Sequence, residues 1–186
     1  AQYAQAEYLY HRALSSQEGQ LGNIEAEGLV QILDSLGWLA LDQGQFSQAD
    51  QFFRRSHVLK EQVYGHGHIE TAITLHALGR LAHAQFAYQD AKALYVQALH
   101  IKEQTVGDEH AETATTLQAL GWVLQDQRRD EEAQSYYQRA LEIRSKVLGT
   151  EHMSTSVTLH QLARLAHRHK QYEEAEQLYL QSLSIK

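Results

Sequence analysis

Trp38, Arg80, Trp122 and Arg164 follow one another at intervals of 42 residues, so an indole and a guanidinium alternate along the chain. Both side chains are common where proteins grip other proteins, and a guanidinium laid over an indole is a favourable cation–π pair. His76 and His83 flank Arg80, and His160 and His167 flank Arg164. At helical spacing each trio forms one stripe. With protonated imidazoles the stripe is cationic and suits a carboxylate or an acidic peptide. Asp34 and Gln118 hold the positions equivalent to His76 and His160, and Gln125 the position equivalent to His83. Their polar groups can pair with the backbone of a bound segment. The candidate binding set is therefore Asp34, Trp38, His76, Arg80, His83, Gln118, Trp122, Gln125, His160, Arg164 and His167. The competing reading is that the alternation packs one repeat on the next and binds nothing.

Other chemistry is poorly represented. His76 and His83 are two helical turns apart, about 10 Å along the axis, too far to share one metal ion. There is no His-Glu-x-x-His, no phosphate-cradling glycine loop and no Gly-x-Ser-x-Gly elbow, so no catalytic residue, metal or cofactor is expected. The paired carboxylates Glu131/Glu132 and Glu173/Glu174 fall where helices begin, and there they favour the helix dipole.

The elements that position these residues repeat with the same period. His68, His110 and His152 are spaced by 42, as are Gly65, Gly107 and Gly149. So are Ala49, Ala91, Ala133 and Ala175, and so are Phe53, Tyr95, Tyr137 and Tyr179. A fixed period of this length marks a stacked array of supersecondary units. Each unit reads as helix A, with a Leu-x-x-Leu-Gly face (Leu-x-x-Leu-Ala in the fourth), then helix B, with alanine, an aromatic and a small residue at helical spacing. Small residues facing each other let two helices approach closely, and the aromatic fills the space beside them. The pattern predicts a lone B helix and joint over 1–25, then repeats over 26–68, 69–110, 111–152 and 153–186, nine helices in all. The joints VYGHGHIET, TVGDEHAET and VLGTEHMST place a glycine after helix B and a histidine just before the next helix A. These histidines read as structural. A longer period is visible too: TLHALGRLAH (74–83) matches TLHQLARLAH (158–167), and LGWLALDQ (36–43) matches LGWVLQDQ (120–127), so the unit of duplication spans 84 residues.

Composition narrows the partners. A formal charge of −7 and a pI near 5.9 argue against a nucleic-acid binder. The chain has no cysteine, hence no disulfide framework or thiolate site, and no apolar run long enough to span a bilayer. Proline is absent, which suits long helices. The expected location is cytoplasmic, since nothing demands an oxidising compartment.

At this point the residues carry a family. Leu-x-x-Leu-Gly, then Ala twelve residues after the glycine, an aromatic four later and a small residue three after that, resembles the tetratricopeptide repeat. The 42-residue spacing and the phrases TATTLQALGWVLQDQ, EEAQSYYQRALEIRSKVLG and EEAEQLYLQSL are similar to the kinesin light chain type of that repeat. Where the family often has His-Pro at the start of helix A, this chain has Ile69, Ala111 or Met153 after the histidine. The resemblance implies an all-α fold, a right-handed superhelical solenoid of antiparallel helix pairs. Its concave groove, lined by the A helices, would bind protein or peptide segments as a scaffold or adaptor, with an acidic segment suiting the residues above. Neither nucleic acid nor membrane is an expected partner. Two further readings are a regulatory sensor array of a larger signalling ATPase and a structural, self-stacking array. For the last, Leu180, Leu183 and Ile185 would face the place where a fifth pair would dock, allowing end-to-end self-association.

Overall fold

The computed structural model describes residues 23–185, with side chains from Glu27 onward. The lone B helix expected over 1–25 lies almost wholly outside the described residues. Among these there are eight α-helices and no strand: α1 (Asn23–Asp42), α2 (Phe46–Tyr64), α3 (Ile69–Ala84), α4 (Tyr88–Thr105), α5 (Ala111–Asp126), α6 (Asp130–Val147), α7 (Met153–Arg168) and α8 (Tyr172–Ser184). They fall into two compact units, one up to Ile101 and one from Lys102.

Odd-numbered helices are the A helices of the sequence pattern and even-numbered ones the B helices. Within a pair the contact is built on glycine. A methyl group placed on Gly37 would stand 2.6 Å from Cδ1 of Phe53, one on Gly79 2.8 Å from Cδ1 of Tyr95, and one on Gly121 2.7 Å from Cδ1 of Tyr137. Each aromatic ring thus occupies the space that a side chain would need, and Phe53, Tyr95 and Tyr137 are wholly buried. In the fourth pair the glycine is replaced by Ala163, and Tyr179 is only half-buried. In the first unit, Ala77, Leu78 and Leu81 of α3 pack on Ala49 and Phe53 of α2, with Trp38 and Leu41 at the margin. In the second unit, Leu162 and Leu165 of α7 do the same to Ala133 and Tyr137 of α6, with Trp122 at the margin. One A helix therefore covers both its own B helix and the preceding one. This is why the pairs are stable only when stacked.

The joints are three copies of one device. Gly65, Gly107 and Gly149 take φ of 91°, 93° and 94°, where a side chain is disfavoured. Three residues on, His68, His110 and His152 cap the next helix: Nδ1 accepts from the backbone N–H of Glu70 (3.2 Å), Glu112 (3.1 Å) and Ser154 (3.1 Å). Three residues further, the hydroxyls of Thr71, Thr113 and Thr155 donate to the carbonyls of those same glycines at 2.8, 2.8 and 2.9 Å. The histidines are structural, and the threonines that tie the joint shut lay unread in the same period.

α1 starts at Asn23, ahead of the expected Ala26. Ala26 stands where His68, His110 and His152 cap the other A helices, so no imidazole stops the helix at that point. Inside the pairs, the A-to-B turn takes a positive φ at Gly44 (71°), Phe86 (61°), Arg128 (62°) and Lys170 (62°). Only the first copy has the residue best suited to that conformation.

Candidate functional site

In the first unit the structure brings two of the alternating residues together. The Arg80 guanidinium carbon lies 4.7 Å from the Trp38 ring centroid. The indole is half-buried and rests its other side on Phe53, ring centroids 5.1 Å apart at 71°. Packing therefore holds the indole, the indole holds the guanidinium, and the guanidinium is exposed. Arg164, the matching residue of the second unit, is also exposed, but its Nη1 sits 3.3 Å from Gln161 Oε1 on its own helix. Trp122 is half-buried at the edge of the second core.

The four candidate histidines each meet a tyrosine, and the two units do so alike. His76 lies 5.0 Å from Tyr95 and His83 5.8 Å from Tyr88, centroid to centroid. His160 lies 5.4 Å from Tyr179 and His167 5.6 Å from Tyr172. The interplanar angles run from 57° to 66°. The 84-residue duplication read in helix A thus extends to the aromatic residues of helix B.

Asp34, Gln118 and Gln125 turn inward. Asp34 accepts from Ser56 Oγ at 2.5 Å and Lys60 Nζ at 2.8 Å. Gln118 Oε1 accepts from Arg144 Nη1. Gln125 Oε1 accepts from the Tyr137 hydroxyl at 2.8 Å, and both glutamines are buried. Their polar groups serve the helix pair they belong to.

Two of these bonds lead to residues that the sequence reading missed. Lys60, Lys102 and Arg144 recur at the 42-residue period and are 0%, 1% and 6% exposed. Lys60 Nζ sits between Asp34 (2.8 Å) and Glu70 (3.2 Å). Lys102 Nζ pairs with Glu112 at 2.7 Å. In the third copy the glutamate has become Ser154, and the cation has become Arg144, which donates from Nη1 to the Ser154 carbonyl at 3.0 Å and Thr158 Oγ1 at 2.6 Å. Burial pushes the Arg144 pKa down to about 10. The period was the available signal. A lysine on an amphipathic helix is ordinarily taken as solvated, which hid it.

A tetratricopeptide repeat profile matches residues 49–104, 88–144 and 123–186. The chain belongs to the tetratricopeptide repeat family. Its fold is all-α, the helix-pair array of that family, here with a repeat length of 42 residues. Among solved structures it is similar to BtubC (BKLC) from P. vanneervenii, with a TM-score of 0.86 at 19% identity over 100% of this chain and 74% of that one. TPR-like repeats from Podosopora anserina, described as those of a kinesin light chain, align with a TM-score of 0.77 at 23% identity over 99% and 87%. The apo form of RapI aligns with a TM-score of 0.80 at 15% identity, over 99% of this chain but 49% of that one. At these identities the likeness is one of fold. No curated protein matches the chain. Tetratricopeptide arrays are scaffolds for protein interaction, and the tetratricopeptide skeleton here, Gly, Ala and buried aromatic, accounts for folding alone.

Among the described residues no group of three His, Asp or Glu is placed to hold a metal ion, and no helix is long and apolar enough to cross a membrane.

Proposed function

We propose that the chain is a binding module that takes a protein or peptide segment along the exposed face of its A helices. The observation that carries this reading is Arg80, a solvent-facing guanidinium held in place by a packed indole. Stacking fixes the plane of the group and leaves its N–H edge available for a carboxylate. Arg164, His160 and His167 offer a second group of donors on the exposed side of α7. An acidic segment is the matching ligand, with Trp38 and Trp122 as apolar anchors. Asp34, Gln118 and Gln125 take part only as supports. Binding a fluorescent hexaglutamate peptide tests the reading. Replacing Arg80 and Arg164 together by Ala weakens it by at least tenfold, while replacing Arg54 and Arg55 together leaves it within about twofold. Equal losses from the two double variants would remove the A-helix face from the function.

A second reading has its own observation. On α8, Leu180 and Leu183 are 59% and 79% exposed and, with Tyr172 and Tyr179, line an apolar concavity of about 300 Å³. Self-association through this face predicts a sedimentation coefficient that rises with concentration and becomes constant in Leu183→Glu.

A further inference from the structure

Lys60, Lys102 and Arg144 are buried cations at one place in three successive joints, and their counter-charges thin out along the chain. Lys60 Nζ meets two carboxylates, Asp34 at 2.8 Å and Glu70 at 3.2 Å. Lys102 Nζ meets one, Glu112 at 2.7 Å. Arg144, 6% exposed, meets none among the described residues. Its Nη1 donates to Gln118 Oε1, the Ser154 carbonyl and Thr158 Oγ1, all of them neutral. A buried cation ordinarily keeps a counter-ion, because leaving water is costly unless an opposite charge takes its place.

The missing charge has a definite address. Glu70 and Glu112 each stand two residues after a capping histidine, in the first turn of α3 and α5. Ser154 holds that position in α7, and the first turn of α7 has no acidic residue. The third joint therefore keeps the cation and the capped helix start, with a hydroxyl where its two siblings have an anion. Among the described residues Ser154 is bonded through its backbone. Its N–H donates to His152 Nδ1, and its carbonyl accepts from Arg144 and Thr158. The residue is half-buried, and 150–153 just before it are all exposed.

We propose that Ser154 is a phosphorylation site and that its phosphate is the counter-ion Arg144 lacks. Phosphoserine carries its oxygens as many bonds from Cα as glutamate does, so the modified residue reaches the place that Glu70 and Glu112 reach. In the step, Ser154 Oγ attacks the γ-phosphorus of ATP bound to a serine kinase. The new O–P bond replaces the bond to ADP, which leaves, and the hydroxyl proton passes to the kinase's base. The product carries a charge of about −1.5 to −2 at pH 7. It sits in the first turn of α7, where the helix dipole and free N–H groups favour an anion. It faces a guanidinium, whose planar fork matches phosphate oxygens. Neutral bonds hold the unmodified joint, and an ion pair of the kind its siblings have permanently holds the modified one. Phosphorylation thus tightens α6 against α7. The inference goes beyond the binding reading and does not depend on it.

The test compares the unmodified chain with Ser154→Glu and with the full chain carrying phosphoserine at 154, introduced during synthesis. Phosphoserine raises the melting temperature by at least about 3 °C, and Ser154→Glu raises it by a smaller amount. Both rises persist in Arg144→Lys, which restores the cation of the sibling joints, and vanish in Arg144→Gln. A charge that acts on the helix dipole alone raises the melting temperature equally in Arg144→Gln, and that result overturns the pairing. A phosphorus NMR titration reads the contact without reference to unfolding. Pairing with Arg144 moves the second ionisation of the phosphate below its usual pH of about 6, in the wild type and in Arg144→Lys. An ionisation left at its usual pH overturns the pairing. Millimolar inorganic phosphate separates a free anion from a covalent one. It leaves the melting temperature of the unmodified chain unchanged, whereas a rise that Arg144→Gln abolishes would assign the site to a free ion and overturn the modification. Mass spectrometry of the chain isolated from its own cells with phosphatases inhibited finds phosphate on Ser154. Phosphate absent from Ser154, or carried only by Thr155 or Ser156, also overturns the modification.

Discussion

Gly121 and Tyr137 exclude one another's neighbours: a methyl group on Gly121 would stand 2.7 Å from Cδ1 of the Tyr137 ring, and that ring is wholly buried. The fourth pair is the natural counter-example, since Ala163 replaces the glycine there and Tyr179 is half-buried. Gly121→Ala therefore pushes Tyr137 outward and strains its bond to Gln125. Overpacking of this kind costs about 1–3 kcal/mol. Urea unfolding should show a lower midpoint for Gly121→Ala, partly restored by adding Tyr137→Leu, which returns the space.

His110 accepts the N–H of Glu112 through Nδ1, so its value lies in an acceptor at the N-cap. Removing such an acceptor costs about 1 kcal/mol. His110→Ala should lower the melting temperature, and His110→Asn, which offers a side-chain oxygen at the same place, should recover most of the loss. Equal behaviour of the two variants would show that the imidazole matters for its bulk instead.

Lys60 is wholly buried between Asp34 and Glu70, whose side chains are 25% and 40% exposed. Breaking a fully buried pair costs about 3–5 kcal/mol, and partial access of water to both carboxylates reduces that here to about 2–3 kcal/mol. Lys60→Met, which keeps the stem and removes the charge, should therefore destabilise measurably. Because Lys60 is out of contact with solvent, the loss should change little between low and high salt, unlike that of the exposed pair Arg54–Asp50.

His57 supplies a pH dependence. Burial lowers its pKa from 6.5, against the opposing pull of Glu61, and His66, Lys60 and Arg54 add to the lowering. The unfolded chain thus takes up the proton before the folded one does. Stability from this group is complete above pH 6.5 and is lost as the pH falls below it. His57 stands where other B helices carry Leu99 and Leu141, and its Nδ1 is buried without a partner. His57→Leu should raise the melting temperature more at pH 5.5 than at pH 8. A constant gain across that range would assign the effect to packing alone.

What the sequence determined by itself was the helix-pair array, the small residues under the aromatics and the structural role of the joint histidines. These follow from side-chain size and from a period repeated along the chain, and both are local properties that can be counted. Tertiary structure decided which polar residues on helix A face inward. Asp34 and Arg80 are both charged residues on the same kind of helix, yet one is joined to Lys60 and the other stacks in the open on Trp38. The difference lies in what the neighbouring helix presents, since burial of a charge requires partners that converge from separate elements. The same holds for Lys60, Lys102 and Arg144, whose spacing was plain but whose burial depends on acceptors from the next A helix. It holds for Tyr95 as well. That residue matches Tyr137 in sequence position, and only the exchange of Gln125 for His83 on the facing helix leaves its hydroxyl without an acceptor.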